Sequence, residues 1–268
     1  MKILGILNIT ADSFSDGGRY LEPAAALVHG DRLLAEGADI VDIGAASSHP
    51  DAAPVPVDVE IARLAAIVPA LHDTGASLSI DSFSTPVQRW ALEQGVDYLN
   101  DIHGFADPDL YADLASARAR LIVMHAVQEK GLATRIDVPP SEILDRILRF
   151  FDARLNALAA AGVAPERLIL DPGMGFFLGT NPETSLAVLG RLPELADAFG
   201  LPLLVSVSRK SFLKGLARPD AGGDISAAVE MFAVRQGTSY IRTHAPAPLR
   251  EALKVLEELQ EQDSGAIS

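Results

Sequence analysis

Apolar and polar positions along this chain follow two alternating rhythms. Short apolar runs rich in β-branched residues recur at "ILGILN" (3–8), "DIVDIG" (39–44), "LSIDSF" (78–83), "DYLNDI" (97–102), "RLIVMH" (120–125), "RLILD" (167–171), "LLVSVS" (203–208) and "SYIRTH" (239–244). Between them lie segments such as "EPAAALVHGDRLLAEG" and "SEILDRILRFFDARLNALAAAG", with apolar residues at three- and four-residue steps. That spacing gathers the apolar residues into one stripe along a helix. Eight strands alternating with helices within about 250 residues predict an α/β fold, a (β/α)8 TIM barrel. An open doubly wound sheet is the alternative, disfavoured because no glycine-rich fingerprint follows the first run. No linker, low-complexity tract or further repeat interrupts the pattern, so residues 1–268 read as one domain. Its acidic, polar end, from about Leu256, is expected to fray.

Polar residues recur at one end of the apolar runs. Asn8, Asp81, Asn100, His125, Asp171, Ser208, Arg242 and His244 each stand at or just past the C-terminal end of a run. In a barrel these ends converge on a single rim, where barrel enzymes place their active sites. A single Asp or Asn after a strand is an ordinary turn residue. Eight polar residues on one rim describe a site.

Composition narrows what that site can do. Cysteine is absent, which removes disulfides, thiolate metal sites and a cysteine nucleophile together. It also suits a reducing compartment, and a cytoplasmic location is expected. A formal charge of −14 argues against a nucleic-acid surface, so cations for an anionic ligand must be concentrated locally. No apolar run approaches the roughly 20 residues that cross a bilayer. The opening "MKILGILNIT" lacks a small-residue cleavage site and reads as a strand.

Three groups carry candidate chemistry. "NITADSFSDGG" (8–18) is a long first loop with glycines for mobility and hydroxyls and carboxylates that could close over a polar ligand. Asp81, Asn100, Asp171 and Lys210 suit a flat heterocycle with donors on one edge and acceptors on the other, and would equally serve as a buried ionic network. An ionised Asp171 could accept two N–H bonds from an amino-pyrimidinone edge. Ser208, Arg209, Lys210, Arg242 and His244 bring positive charge to the loops after strands seven and eight, where barrels bind phosphate. Arg242 could alternatively pair with a neighbouring acid. No G-x-S-x-G elbow or H-E-x-x-H helix is present. A Mg²⁺ held mainly by a ligand's phosphates, with Asn8 as a protein oxygen, remains open.

The motifs "GILNITADSFSDGG", "IDSF", "YLNDI", "VMH", "LDPGMGF", "SVSRKSF" and "RTH" occur in an order and spacing that resemble the dihydropteroate synthases over residues 3–244. The resemblance implies a folate-biosynthesis transferase that joins 7,8-dihydropterin-6-ylmethyl diphosphate to 4-aminobenzoate. It implies that Asp81, Asn100, Met124, Asp171 and Lys210 hold the pterin. Asn8, Ser48, His49, Arg242 and His244 would hold the diphosphate with Mg²⁺. Phe176, Phe177, Ser208, Lys210 and Pro50 would frame the aminobenzoate. Catalysis would fall to Asn8, Lys210, Arg242 and His244. The partners implied are small molecules and a second copy in a homodimer, with no nucleic acid and no membrane. Loops 9–20 and 45–57 are expected to close over the diphosphate end.

Two departures from the family pattern resemble its sulfonamide-insensitive, resistance-type branch. "GAASSHPD" (44–51) has Ser48 and His49 where the family commonly carries Thr-Arg, so a permanent charge gives way to a titratable ring. After "DPGMGF" come Phe177 and Leu178, where the family usually has a small residue and a lysine. Phe177 with Leu178 would narrow the aminobenzoate site against a bulkier sulfonamide; otherwise Phe177 packs on a helix. Two rivals remain: a methyltetrahydrofolate methyltransferase on the same pterin-binding barrel, which has no use for a diphosphate clamp, and a non-catalytic pterin-binding homologue.

Overall fold

Period-two alternation within each strand sorts the barrel into an apolar base and a polar mouth. A computed structural model describes residues 1–10, 22–128, 131–216 and 225–265. The strands are β1 (Lys2–Asn8), β2 (Ile40–Gly44), β3 (Ser77–Asp81), β4 (Tyr98–Asp101), β5 (Arg120–Met124), β6 (Leu168–Asp171), β7 (Leu204–Val205) and β8 (Tyr240–Thr243). They pair in parallel in the order β6-β5-β4-β3-β2-β1-β8-β7. An isolated bridge between Leu170 and Leu203 joins the two ends and closes the barrel. The predicted fold class and all eight strand positions hold; β7 is the shortest, with two residues.

The helices among the described residues are α1 (Pro23–Ala35), α2 (Val57–Ala65), α3 (Val68–Asp73), α4 (Thr85–Glu93), α5 (Tyr111–Ser116), α6 (Pro140–Ala160), α7 (Pro182–Gly190), α8 (Leu192–Phe199), α9 (Ser226–Arg235) and α10 (Pro246–Gly265). Proline opens many of them, at a first-turn position where its missing N–H costs no helical bond. In α6, Ile143, Leu144, Ile147, Phe151 and Leu158 form the buried stripe. The acidic end expected to fray from Leu256 is helical to Gly265. Leu249 and Leu253 bury the first turns of α10, and Glu, Leu and Gln carry the helix on. No described helix is long and apolar enough to cross a membrane.

Outward strand residues such as Val41, Ile43, Leu99 and Ile241 pack under the helices in the main core. Inward residues Leu4, Ile40, Ile122, Ile169, Leu204 and Tyr240 form a separate apolar plug at the barrel base, with Tyr98 against it. Arg120 seals that plug by donating to the Tyr240 hydroxyl at 2.6 Å. Two residues further along the same inward faces, Ile40 gives way to Asp42, Tyr98 to Asn100, Ile169 to Asp171 and Tyr240 to Arg242.

Candidate active site

Strand register brings the mouth residues side by side. Asn8 pairs with Gly44, Gly44 with Asp81, and Asp81 with Asn100; on the far side Met124 pairs with Asp171. A side chain at Gly44 would put its Cβ 3.3 Å from Asn8 Oδ1, so glycine here leaves room for the Asn8 amide. Arg242 stands between β2 and β3 as a bridge: Nε donates to Asp42 Oδ2 at 2.5 Å and Nη2 to Asp81 Oδ2 at 2.6 Å. Arg242 therefore does pair with neighbouring acids, and two of its five N–H donors are used in doing so.

Asp171 is buried, and its Oδ1 accepts the Gly173 N–H at 2.8 Å. That turn needs glycine, because φ is +75° and a Cβ would lie 2.4 Å from the His125 carbonyl oxygen. Burial pushes the Asp171 carboxyl up to about 6, against the opposing pull of the Gly173 N–H, Lys210 and Arg242. Lys210 and Arg242 both act electrostatically on this carboxylate. Burial likewise pushes Asp81 up to about 7; Arg242 opposes this, while Asp42, Asp101 and Glu60 add to it. Lys210 donates from Nζ to the Met174 carbonyl at 2.8 Å and is lowered to about 8, chiefly by burial.

Two buried acceptors in this region, Asn100 Oδ1 and Asp42 Oδ1, have no hydrogen-bond partner among the described residues. Unpaired buried oxygens are costly, and they suit a ligand edge rich in N–H groups. Behind them Asp101 fixes the loop after β4, accepting from the His103 and Phe105 N–H groups at 2.8 and 2.9 Å and from Gln88 at 3.0 Å.

The remaining predicted residues sort by loop. Ser208 Oγ accepts the His244 N–H at 3.2 Å and lies 3.0 Å from His244 Nδ1, which joins the expected aminobenzoate and diphosphate ends. His49 meets the Phe176 ring edge-on at 5.8 Å, placing it beside the aromatic wall. Ser48 holds its loop through its carbonyl, which accepts the Ala133 N–H at 3.1 Å, and Pro50 is half-buried beside it. Phe177 is half-buried, with the Lys210 ammonium 4.8 Å from its ring centroid, a cation–π arrangement that turns it toward the site. Leu178 does not share that role: it is wholly buried in the main core, because it lies one residue on in a 3-10 turn, Gly175–Phe177, and points inward. Most of the first loop expected to close, residues 11–20, falls outside the described residues.

Sequence reasoning missed Asp42. Attention to strand ends passed over an acid in mid-strand, yet the alternation Ile40, Asp42, Gly44 already marks it as inward-facing. Among the described residues no cluster of three or more His, Cys, Asp or Glu side chains could hold a metal ion alone. Asn8, a single neutral oxygen at the mouth, fits a hard cation carried largely by phosphate oxygens.

Because Asp81 and Asp171 titrate near 7 and 6 when folded, against about 3.9 unfolded, the folded protein holds more protons in that window. Their contribution to stability is therefore expected to fall as the pH rises from about 4 to about 7. Thermal unfolding of the ligand-free protein should show this slope, and Asp171→Asn should flatten part of it. A slope that Asp171→Asn leaves unaltered would contradict the raised carboxyl.

Comparison with known proteins agrees with this geometry. A model of a family described as pterin binding enzyme matches residues 4–244. The type-2 dihydropteroate synthase of Escherichia coli is 54% identical over 261 residues, spanning 97% of this chain and 96% of that protein. The Yersinia pestis dihydropteroate synthase, solved with a sulfonamide drug, superposes with a TM-score of 0.87 at 34% identity, over 97% of this chain and 94% of its own. The Burkholderia cenocepacia enzyme complexed with 7,8-dihydropteroate gives 0.84 at 32% identity, over 98% and 93%.

Proposed function

Since the chain belongs to the dihydropteroate synthases, transferases of the pterin-binding family, we propose that its barrel mouth joins 7,8-dihydropterin-6-ylmethyl diphosphate to 4-aminobenzoate in the manner the site residues suggest. The observation that carries the assignment of roles is the pair of buried acceptors without a partner among the described residues, Asn100 Oδ1 and Asp42 Oδ1, with Asp81 in register with Asn100. They form an acceptor-rich slot for the N–H groups of a pterin, with Met124 against its face. Lys210, fixed on the Met174 carbonyl, stands between the pterin and aryl-amine ends.

The reaction needs no protein nucleophile. The C–O bond to diphosphate breaks with its electron pair leaving on oxygen, and the electron-rich dihydropterin stabilises the methylene cation. The amine nitrogen then forms the C–N bond and releases one proton. Arg242 and His244 stabilise charge on the departing diphosphate, which is electrostatic catalysis. Asn8 would help hold a Mg²⁺ carried mainly by the diphosphate, and that ion would further neutralise the charge when bound. The loop at 45–57, with Ser48, His49 and Pro50, excludes water that would otherwise capture the cation. The enzyme works as a cytoplasmic homodimer in this reading, and sedimentation would test the dimer. Release of diphosphate on mixing with both substrates tests the reaction; its absence would remove the reading.

Phe177 makes the aryl-amine end selective. Its ring, fixed beneath the Lys210 ammonium, leaves room for planar aminobenzoate and opposes the bulkier sulfonyl substituent of a sulfonamide. The chain would thus confer sulfonamide resistance. Phe177→Gly is expected to raise sulfamethoxazole affinity by about tenfold or more, a gain of about 1.4 kcal/mol, while changing aminobenzoate turnover less. Growth rescue of a synthase-deficient bacterium, with and without the drug, measures both. Insensitivity retained by Phe177→Gly would remove this part of the reading.

A further inference from the structure

Beside the aryl-amine wall, two loops are tied together by side chains that the proposed reaction does not use. Arg135, in the loop between β5 and α6, donates from Nη1 to Asp51 Oδ1 at 2.9 Å and from Nη2 to Asp51 Oδ2. This two-pronged bridge crosses to the loop between β2 and α2. The same guanidinium lies 6.0 Å from the centroid of Phe176, the ring that His49 meets edge-on at 5.8 Å. The Asp51 N–H donates to His49 Nδ1 at 3.2 Å, so the acid that grips Arg135 also steadies the imidazole. A main-chain bond follows the same seam, from the Ala133 N–H to the Ser48 carbonyl at 3.1 Å, and the Thr180 N–H, in the loop after β6, ties the Ile136 carbonyl at 2.8 Å.

Both partners of the bridge are more than half exposed. An exposed ion pair adds little to folding, because water screens it and two long side chains lose freedom. A paired fork nevertheless fixes distance and angle as a point charge cannot. A contact that adds little stability yet holds two rings at one wall is suited to setting the shape of the pocket behind it.

We propose that Asp51 and Arg135 are positioning residues for the aryl amine: their bridge sets the separation of His49 and Phe176 and so tunes which para-substituted aryl carboxylates the pocket accepts. The inference rests on Phe176 walling the aryl-amine site.

Steady-state kinetics of Arg135→Ala and Asp51→Ala test it. The KM for 4-aminobenzoate is expected to rise about tenfold, the scale of coupling between groups in contact. The KM for dihydropterin diphosphate and the thermal midpoint should stay nearly constant. The charge-swapped double variant, Asp51→Arg with Arg135→Asp, should recover much of the loss. Arg135→Lys should recover less, since an ammonium cannot form the fork. An unchanged aminobenzoate KM, or equal rises in both KM values, would overturn the proposal. Hydrogen exchange over residues 45–56 gives a readout that needs no turnover, and Arg135→Ala should speed it. If the unaltered protein released no diphosphate, the synthase reading would fail by itself, and exchange unaffected by Arg135→Ala would then overturn the latch separately.

Discussion

Arg242→Met is expected to cost the protein both turnover and much of its stability. The guanidinium is the shared counter-charge of Asp42, which is wholly buried, and Asp81. Removing it leaves two carboxyl groups close together on the adjacent strands β2 and β3 with no cation between them. Breaking a buried pair in this way costs about 3–5 kcal/mol, and urea unfolding would read it as a lower midpoint. Asp81 titrates at about 7 even with Arg242 beside it. Without Arg242 it rises further, and below its pKa the group is neutral. The loss should therefore be larger at about pH 8 than at about pH 6. Adding Asp42→Asn to the variant should restore a good part of the stability and none of the turnover, because the acid is relieved while the diphosphate still lacks its cation. Arg242→Met with an unaltered urea midpoint would show that the two acids do not depend on this guanidinium.

Asp171→Asn separates recognition from folding in the opposite sense. The carboxylate has one oxygen on the Gly173 N–H, and an amide oxygen can accept that bond equally well. What the amide cannot do is accept two donors from a pterin edge with a full negative charge. Hydrogen bonds to a charged group are worth about 1.5–3 kcal/mol each, so losing two predicts a fall of about a hundred- to ten-thousandfold in kcat/KM for dihydropterin diphosphate. The KM for 4-aminobenzoate should change far less. Binding of the pterin to the unaltered protein should weaken as the pH drops through about 6, where Asp171 takes up its proton, and Asp171→Asn should lose that dependence. A defect in aminobenzoate KM with pterin kinetics intact would place Asp171 at the wrong end of the site.

Much of this molecule was legible in one dimension. Strand periodicity located the eight strands, and the recurrence of polar residues at their ends located the mouth, since every parallel strand of a barrel delivers its C-terminal end to the same rim. Asp81, Asn100, Asp171 and Arg242 were placed at the mouth by that rule alone, and Lys210 by its position in the loop after strand seven. Asp42 escaped it by lying in mid-strand, although the same alternation points it inward. Leu178 illustrates the converse error. Its neighbour Phe177 faces Lys210, but a 3-10 turn sends successive side chains in different directions, and Leu178 goes to the core.

By itself, the sequence determined the barrel, its polar mouth and the chemical types gathered there, because these follow from local periodicity and from which residues cap each run. Tertiary structure alone decided the pairings: Arg242 with Asp42 and Asp81, Lys210 over Phe177, Asp51 with Arg135. The partners of Arg242 lie 200 and 161 residues away, and those of the Asp51 bridge are 84 apart. At such separations a contact is fixed by how strands and loops assemble around the barrel axis, and no local pattern in the chain encodes it.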